Sequence, residues 1–115
     1  MKSESELQQQ IFNWYSNNYC LKNMVNRGMI FSIPNGGTRL IMEAMTLKAT
    51  GLLKGASDLI VILPNKKLIF VELKMPKGVQ SIEQKDFESR VILLGFEYHI
   101  IRSLEEFKGL ICPVY

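Results

Sequence analysis

The stretch that decides the fold reads DLIVILPNKKLIFVELK and covers residues 58–74. Its two apolar runs, rich in β-branched residues, flank a turn signal at Pro64–Lys67, and this pattern predicts two strands joined as a hairpin. Both runs are almost continuously apolar, as in a sheet that is covered on both faces. Asp58 begins the first run, and Glu72 and Lys74 lie at the end of the second. The hairpin therefore predicts a buried sheet with charged groups at one end.

The spacing of these charged groups indicates a metal site. Glu72 and Lys74 are expected to point the same way, with Leu73 turned into the core, because alternate residues of a strand share a face. A register that sets Asp58 opposite Glu72 would bring their Cβ atoms to roughly 4.5–5.5 Å, close enough to share one cation. The loop length permits this register without fixing it. Two carboxylates near a lysine can hold a divalent cation and activate water for phosphodiester cleavage; a surface ion pair at the strand ends is the alternative.

The rest of the chain predicts the order helix, strand, helix, two strands, helix, strand and short helix. That mixed order suits an α/β domain with a central sheet. Strands are expected at Met29–Ile33 and Phe96–Arg102. A helix over about residues 39–50 is expected to end at Gly51, since glycine commonly terminates helices.

Glu4 is the residue of the first predicted helix, 4–19, that is best placed to supply an acid to the site. At about 100° per residue it shares a face with the apolar Leu7 and Ile11, whereas Glu6 falls on the solvated side. In the alternative interpretation Glu4 only complements the positive end of the helix dipole, which would account for Glu6 equally well.

A capping box predicts that another helix begins after Ser81, with Ser81 as the N-cap and Gln84 at the third helical position. This pattern gives Gln84 a complete structural role. Gly95 is expected to end the helix. Its apolar face is expected to contain Phe87, Val91, Leu93 and Leu94.

Two segments offer contacts to a phosphate backbone. The sequence PNGGTR at 34–39 combines glycines, which allow close backbone approach, with the start of a helix, and its candidate residues are Asn35, Gly36, Gly37 and Arg39. Lys48 and Lys54 flank the approach to Asp58 and could neutralise phosphates. The alternatives are a plain strand-to-helix turn capped by Thr38, and solvated lysines.

The composition of the chain indicates which class of protein it belongs to. The 115 residues are 47% apolar and 22% charged, which is typical of one globular domain over 1–115. No apolar run approaches the roughly 20 residues of a membrane span, and the polar N-terminus is unlike a signal peptide. Cys20 and Cys112 lie far apart without metal-ligand spacing, so we expect a cytoplasmic protein without disulfides. The net charge of +3 permits a polyanionic partner without requiring one.

Five segments taken together resemble the VRR-NUC branch of the PD-(D/E)XK nuclease superfamily, from Ser3 to about Ser103. In chain order they are ESELQ at 4–8, PNGGTR at 34–39, LKATGLLKGASD at 47–58, VELK at 71–74, and Gln84. The five occur in the family's order with matching spacing, which makes the resemblance specific. It implies a restriction-endonuclease-like α/β fold, with a central mixed sheet flanked by helices.

The resemblance also implies a Mg²⁺-dependent DNA endonuclease that hydrolyses phosphodiester bonds, with Mn²⁺ as a substitute. Asp58 and Glu72 would bind the metal through their carboxylates. The backbone carbonyl of Leu73 and the Glu4 carboxylate would complete or buttress the ligand set.

The other two motif residues would act on the reacting atoms. Lys74 would orient the attacking water or stabilise the pentacovalent phosphorane, and Gln84 would position water or phosphate. Stand-alone members of this size imply a homodimer that acts on branched DNA, such as a Holliday junction, in the cytoplasm of a bacterial or phage-infected cell. The alternatives are a flap- or nick-directed nuclease, an exonuclease, a catalytically silent DNA-binding module, and a structural interaction module.

Overall fold

The computed structural model describes residues 3–21, 27–34 and 49–112. The described helices and strands follow the order expected from the sequence. They are α1 (Glu4–Tyr19), β1 (Met29–Ser32), β2 (Leu59–Ile62), β3 (Leu68–Leu73), α2 (Ile82–Leu93), β4 (Glu97–Ile101) and α3 (Leu104–Ile111). The helix expected over about residues 39–50 lies almost wholly outside the described residues. No helix in the described ranges is long and apolar enough to cross a membrane.

The strands form one mixed sheet in the order β1-β2-β3-β4. The first three strands pair antiparallel, whereas β3 and β4 pair parallel, so α2 is the crossover between them. A central mixed sheet flanked by helices was expected, and the fold class is confirmed.

One face of the sheet forms the main core with α1 and α3. Alternate residues of the strands point into it, and Leu59, Val61, Val71 and Leu73 are fully buried there. α1 contributes Leu7, Ile11 and Tyr15, the apolar stripe that its helical period predicts. The Tyr15 hydroxyl donates a hydrogen bond to the Ile62 carbonyl at 2.9 Å, which ties the helix to β2.

The other face packs against α2 through aromatic rings. Phe70 lies edge-on to Phe87 with ring centroids 5.6 Å apart, and Phe87 also contacts Tyr98. The prediction that Leu93 and Leu94 belong to the apolar face of α2 is wrong, because they are 86% and 75% exposed.

Helix geometry explains that error. Val91 is buried, but Leu93 follows it by two residues and therefore points to the opposite side of the helix. Leu94 has the expected phase but is the C-cap, beyond the last helical turn that contacts the sheet.

Candidate active site

Asp58 and Glu72 lie across from each other at the open end of the β2–β3 hairpin. Leu59 pairs with Val71, and continuing this register by one residue sets Asp58 opposite Glu72. The backbone N–H of Leu73 donates to Asp58 Oδ2 at 2.7 Å, which fixes the carboxylate at the strand end. The register that the sequence only permitted is thus the one that occurs.

The loop before Asp58 is held against the first turn of α2. Gly55 has a φ of 89°, and a Cβ at this position would lie 2.4 Å from the backbone carbonyl of Glu83, so only glycine fits. Ser57 is fully buried, and Lys54 forms an ion pair with Glu83 at 3.2 Å. The start of α2 and the Asp58 loop therefore form one packed unit.

Glu72 is a buried carboxylate with one oxygen satisfied and one not. Its side chain is 1% exposed. Oε2 accepts a hydrogen bond from Gln84 Nε2 at 2.9 Å and lies 3.6 Å from Lys74 Nζ. Oε1 is buried and has no hydrogen-bond partner among the described residues. Such an atom is costly to bury unless something binds it.

Burial and charge act together on the two acids. Burial and the nearby Asp58 carboxylate raise the pKa of Glu72 to about 8, against the opposing charge of Lys74. Burial also raises the pKa of Asp58, although the hydrogen bond from the Leu73 N–H works in the other direction. Two acids held this close favour sharing a proton or a cation over both being ionised alone.

Gln84 forms the predicted helix cap and also contacts Glu72, while a part in catalysis stays a prediction. Its side-chain Oε1 accepts a hydrogen bond from the backbone N–H of Ser81 at 2.8 Å. Its backbone N–H donates to Ser81 Oγ at 3.2 Å, which completes the capping box. With Oε1 occupied in this way, the amide must present Nε2 to Glu72. The helix cap therefore orients the group that holds the carboxylate.

Lys74 is 8% exposed and lies where β3 leaves the sheet. The backbone N–H of Lys74 donates a hydrogen bond to the Ile101 carbonyl at 3.1 Å. The loop that follows is clamped by Arg102, whose Nη1 donates to the carbonyls of Met75 at 2.8 Å and Gly78 at 2.9 Å. The sequence did not predict this role of Arg102, because its partners are backbone carbonyls and no sequence pattern indicates such contacts.

A second polar group on the same face was also missed. Gln80 Nε2 donates to Glu88 Oε1 at 3.1 Å and to the Tyr98 hydroxyl at 3.2 Å. Burial raises the pKa of Tyr98, and the charges of Glu72 and Glu88 add to this effect. This network braces the chain before α2 against β4, beside the acidic site.

Glu4 lies at the first residue of α1, and its charge raises the pKa of Glu72. The expectation that it lies on the buried side is wrong, since it is exposed like Glu6. A helical side chain leans toward the N-terminus, so at the first residue it extends beyond the core. Among the described residues no three His, Cys, Asp or Glu side chains group as a metal site. A metal-binding role for Glu4 stays a prediction.

The predicted DNA contacts are only partly described. Lys54 is 83% exposed and paired with Glu83 beside the Asp58 loop, so its ammonium lies at the surface near the site. The other predicted contacts lie outside the described residues. They are Asn35, Gly36, Gly37, Arg39 and Lys48.

Comparison with known proteins gives a family for this arrangement. The family model of the VRR-NUC domain matches residues 2–105. A solved structure described as "VRR_NUC domain" is similar with a TM-score of 0.65 at 20% identity, covering 97% of this chain and 97% of that chain. Another, described as "VRR_NUC domain protein", has a TM-score of 0.72 at 19% identity, covering 96% and 88% respectively. No curated protein matches the sequence. The chain therefore belongs to the VRR-NUC family, within the PD-(D/E)XK nuclease superfamily.

Proposed function

We propose that this protein is a metal-dependent, structure-selective DNA endonuclease that hydrolyses phosphodiester bonds in branched DNA. The observation that supports it best is the buried, unpartnered Glu72 Oε1 beside Asp58. A merely structural pair of buried acids would be expected to satisfy both carboxylates within the protein. A buried carboxylate oxygen without a donor, in a pair of acids close enough to share a proton, is instead the arrangement of a ligand set.

The donor set suits Mg²⁺, with Mn²⁺ as a substitute. Asp58 and Glu72 would hold the ion through hard carboxylate oxygens, with the Leu73 carbonyl as a third donor and Glu4 as an outer carboxylate. Few protein ligands are an advantage here, because Mg²⁺ retains several waters. When bound, the ion would polarise the phosphate and lower the pKa of a bound water.

Lys74 is the proposed electrostatic stabiliser of the reaction. Its ammonium lies 3.6 Å from Glu72 Oε2, so it stands beside the place where a phosphate would meet the acid pair. A fixed positive charge there would stabilise the charge that develops on the phosphoryl oxygens. Gln84 would act through Glu72, since its amide is hydrogen-bonded to that carboxylate and to the helix cap.

Symmetric incision of a four-way junction requires two active sites related by a two-fold axis. A closed isologous homodimer supplies them. We therefore propose a homodimer as the active form, to be tested by light scattering at micromolar concentration. A monomer that cuts linear duplex as well as junctions would exclude junction resolution and leave the nuclease assignment intact.

The decisive experiment is cleavage of a DNA panel with Mg²⁺, with Mn²⁺ and with EDTA. The panel contains a four-way junction, a flap, a nicked duplex, a single strand and a linear duplex. We expect metal-dependent cleavage with a preference for the junction. Glu72→Gln should abolish it, whereas Asp86→Asn, a matched change of an exposed acid on α2, should have no effect. Cleavage that persists in EDTA or in Glu72→Gln would contradict the proposal.

A further inference from the structure

A cavity of about 320 Å³ lies between α1 and the sheet, beside the paired residues Ser32 and Leu59. Two of its lining residues follow directly on site residues in the chain. Ser5 follows Glu4, whose charge acts on Glu72, and Leu59 follows Asp58. The cavity therefore lies at the end of the sheet that holds the carboxylates, on the face toward α1, whereas Asp58 and Glu72 point to the opposite face.

The lining that the described residues give this cavity is neutral and rich in hydrogen-bonding groups. It contains the carboxamides of Gln8, Gln9 and Asn13, together with the hydroxyls of Ser5 and Ser32. Among the described residues none of these side chains has a hydrogen-bond partner, and no charged side chain lines the cavity. A carboxamide offers a donor and an acceptor side by side, which matches the edge of a nucleobase rather than a phosphate.

Phe12 adds an aromatic surface to these amides. It is 44% exposed and lines both this cavity and a second one of about 600 Å³, which reaches Arg27. Both volumes fall in the usual range for ligand pockets. From Ser5 to Phe12 the helix rises roughly 10 Å, enough for one or two nucleotides beyond the cleaved bond.

We propose that this groove, defined by Ser5, Gln9, Phe12, Asn13 and Arg27, binds an unpaired stretch of the DNA strand that leaves the acidic site. A base would stack on Phe12 while the amides bond its edge, and Arg27 would contact a phosphate. The strand must be unpaired, because in a duplex the faces of a base are stacked and its edge is paired. This inference rests on the proposed nuclease function and adds a structural reason for selecting branched DNA.

The test measures binding without cleavage, by fluorescence polarisation in EDTA. The probes are a labelled oligothymidine and an abasic oligonucleotide of the same length and charge. We expect wild-type protein to bind the oligothymidine at least tenfold more tightly. Phe12→Leu should weaken its binding by about 5- to 150-fold, equivalent to about 1–3 kcal/mol, and Phe12→Tyr should restore it. Asn13→Ala should weaken binding several-fold, and Asn17→Ala, an exposed amide of α1 outside the cavity, should not.

Several results would overturn the inference. They are undetectable binding of oligothymidine, equal binding of the abasic probe, and unchanged binding by Phe12→Leu. The proposed nuclease function is decided separately, because these measurements need neither metal nor cleavage. Phe12-dependent binding by a protein that cuts none of the DNA panel would reject the nuclease and retain the groove. Metal-dependent cleavage by a protein whose binding of oligothymidine is unchanged by Phe12→Leu would retain the nuclease function and reject the groove.

Discussion

The two faces of β3 differ sharply although they share one backbone. Ile69, Val71 and Leu73 point into the main core and are almost completely buried, with no polar atom among their side chains. Phe70, Glu72 and, just beyond the strand, Lys74 alternate with them and carry an aromatic ring, a carboxyl group and an ammonium group to the face covered by α2. One face stabilises the strand, and this allows the other to hold charges that are unfavourable for folding.

The largest expected effect is loss of cleavage when an acid on the charged face is replaced. Asp58→Ala or Glu72→Ala should abolish cleavage while the protein stays folded, since neither acid packs the main core. Both variants should retain DNA binding, because a negative charge facing the phosphates is removed. Cleavage assays and circular dichroism on the same samples test this. If either variant cleaves DNA at the wild-type rate, the two acids are not the catalytic site.

The apolar face should show the opposite pattern. Ile69→Ala should lower the free energy of unfolding by about 2–5 kcal/mol, because it removes most of a side chain that is 1% exposed. Its cleavage rate, measured at a temperature where the variant is fully folded, should stay close to that of the wild type. Urea denaturation gives the first quantity. A large loss of rate in the folded variant would mean that the two faces are not functionally separate.

Gln84 belongs to both the helix cap and the site, and one substitution can separate these roles. Gln84→Glu keeps an oxygen for the Ser81 N–H but loses the donor to Glu72. Cleavage or metal affinity should fall by roughly 10- to 100-fold, while the helix content is unchanged. Gln84→Ala, which removes both interactions, serves as the comparison. If Gln84→Glu cleaves normally, capping is the whole role of this residue.

The pH dependence of stability tests the charged face of β3 without any measurement of cleavage. The pKa of Glu72 is raised from 4.5 to about 8 by folding, so the folded state keeps a proton that the unfolded state has lost between these values. The free energy of unfolding in EDTA should therefore fall as pH rises from 4.5 through 8.

The control for this prediction is Glu72→Gln, which should lack that decrease. Mg²⁺ should oppose the decrease in the wild type, because a cation stabilises the ionised carboxylate. Denaturation curves at pH 5 and pH 8.5 measure both. Equal pH dependence in the two proteins would place the titrating group elsewhere.

The sequence predicted the parts of the fold that depend on local pattern. The apolar runs around Pro64–Lys67 predicted the hairpin, and Ser81 with Gln84 predicted the helix start. Local pattern failed at helix ends, where Leu94 and Glu4 have a clear phase but no neighbouring element to cover them.

The remaining site features depend on tertiary geometry alone. Arg102 binds carbonyls that precede it by more than twenty residues, and Gly55 approaches the backbone of a helix that follows it. Neither contact leaves a periodic or motif signal. The double role of Gln84 likewise required knowing that the capped end of α2 lies beside Glu72.

The place of the acids at the open end of a hairpin has a consequence for the order of folding. Leu73 and Asp58 are only 15 residues apart in sequence, and hairpins close in about 1–10 μs. The parallel pairing of β3 with β4 must wait for the α2 crossover, which closes a longer loop. We therefore expect the two carboxylates to meet before α2 brings Gln84 to the site. We expect pairing of the hairpin to slow at its open end when both acids are ionised, so the end that holds the acids is the last part of the hairpin to form.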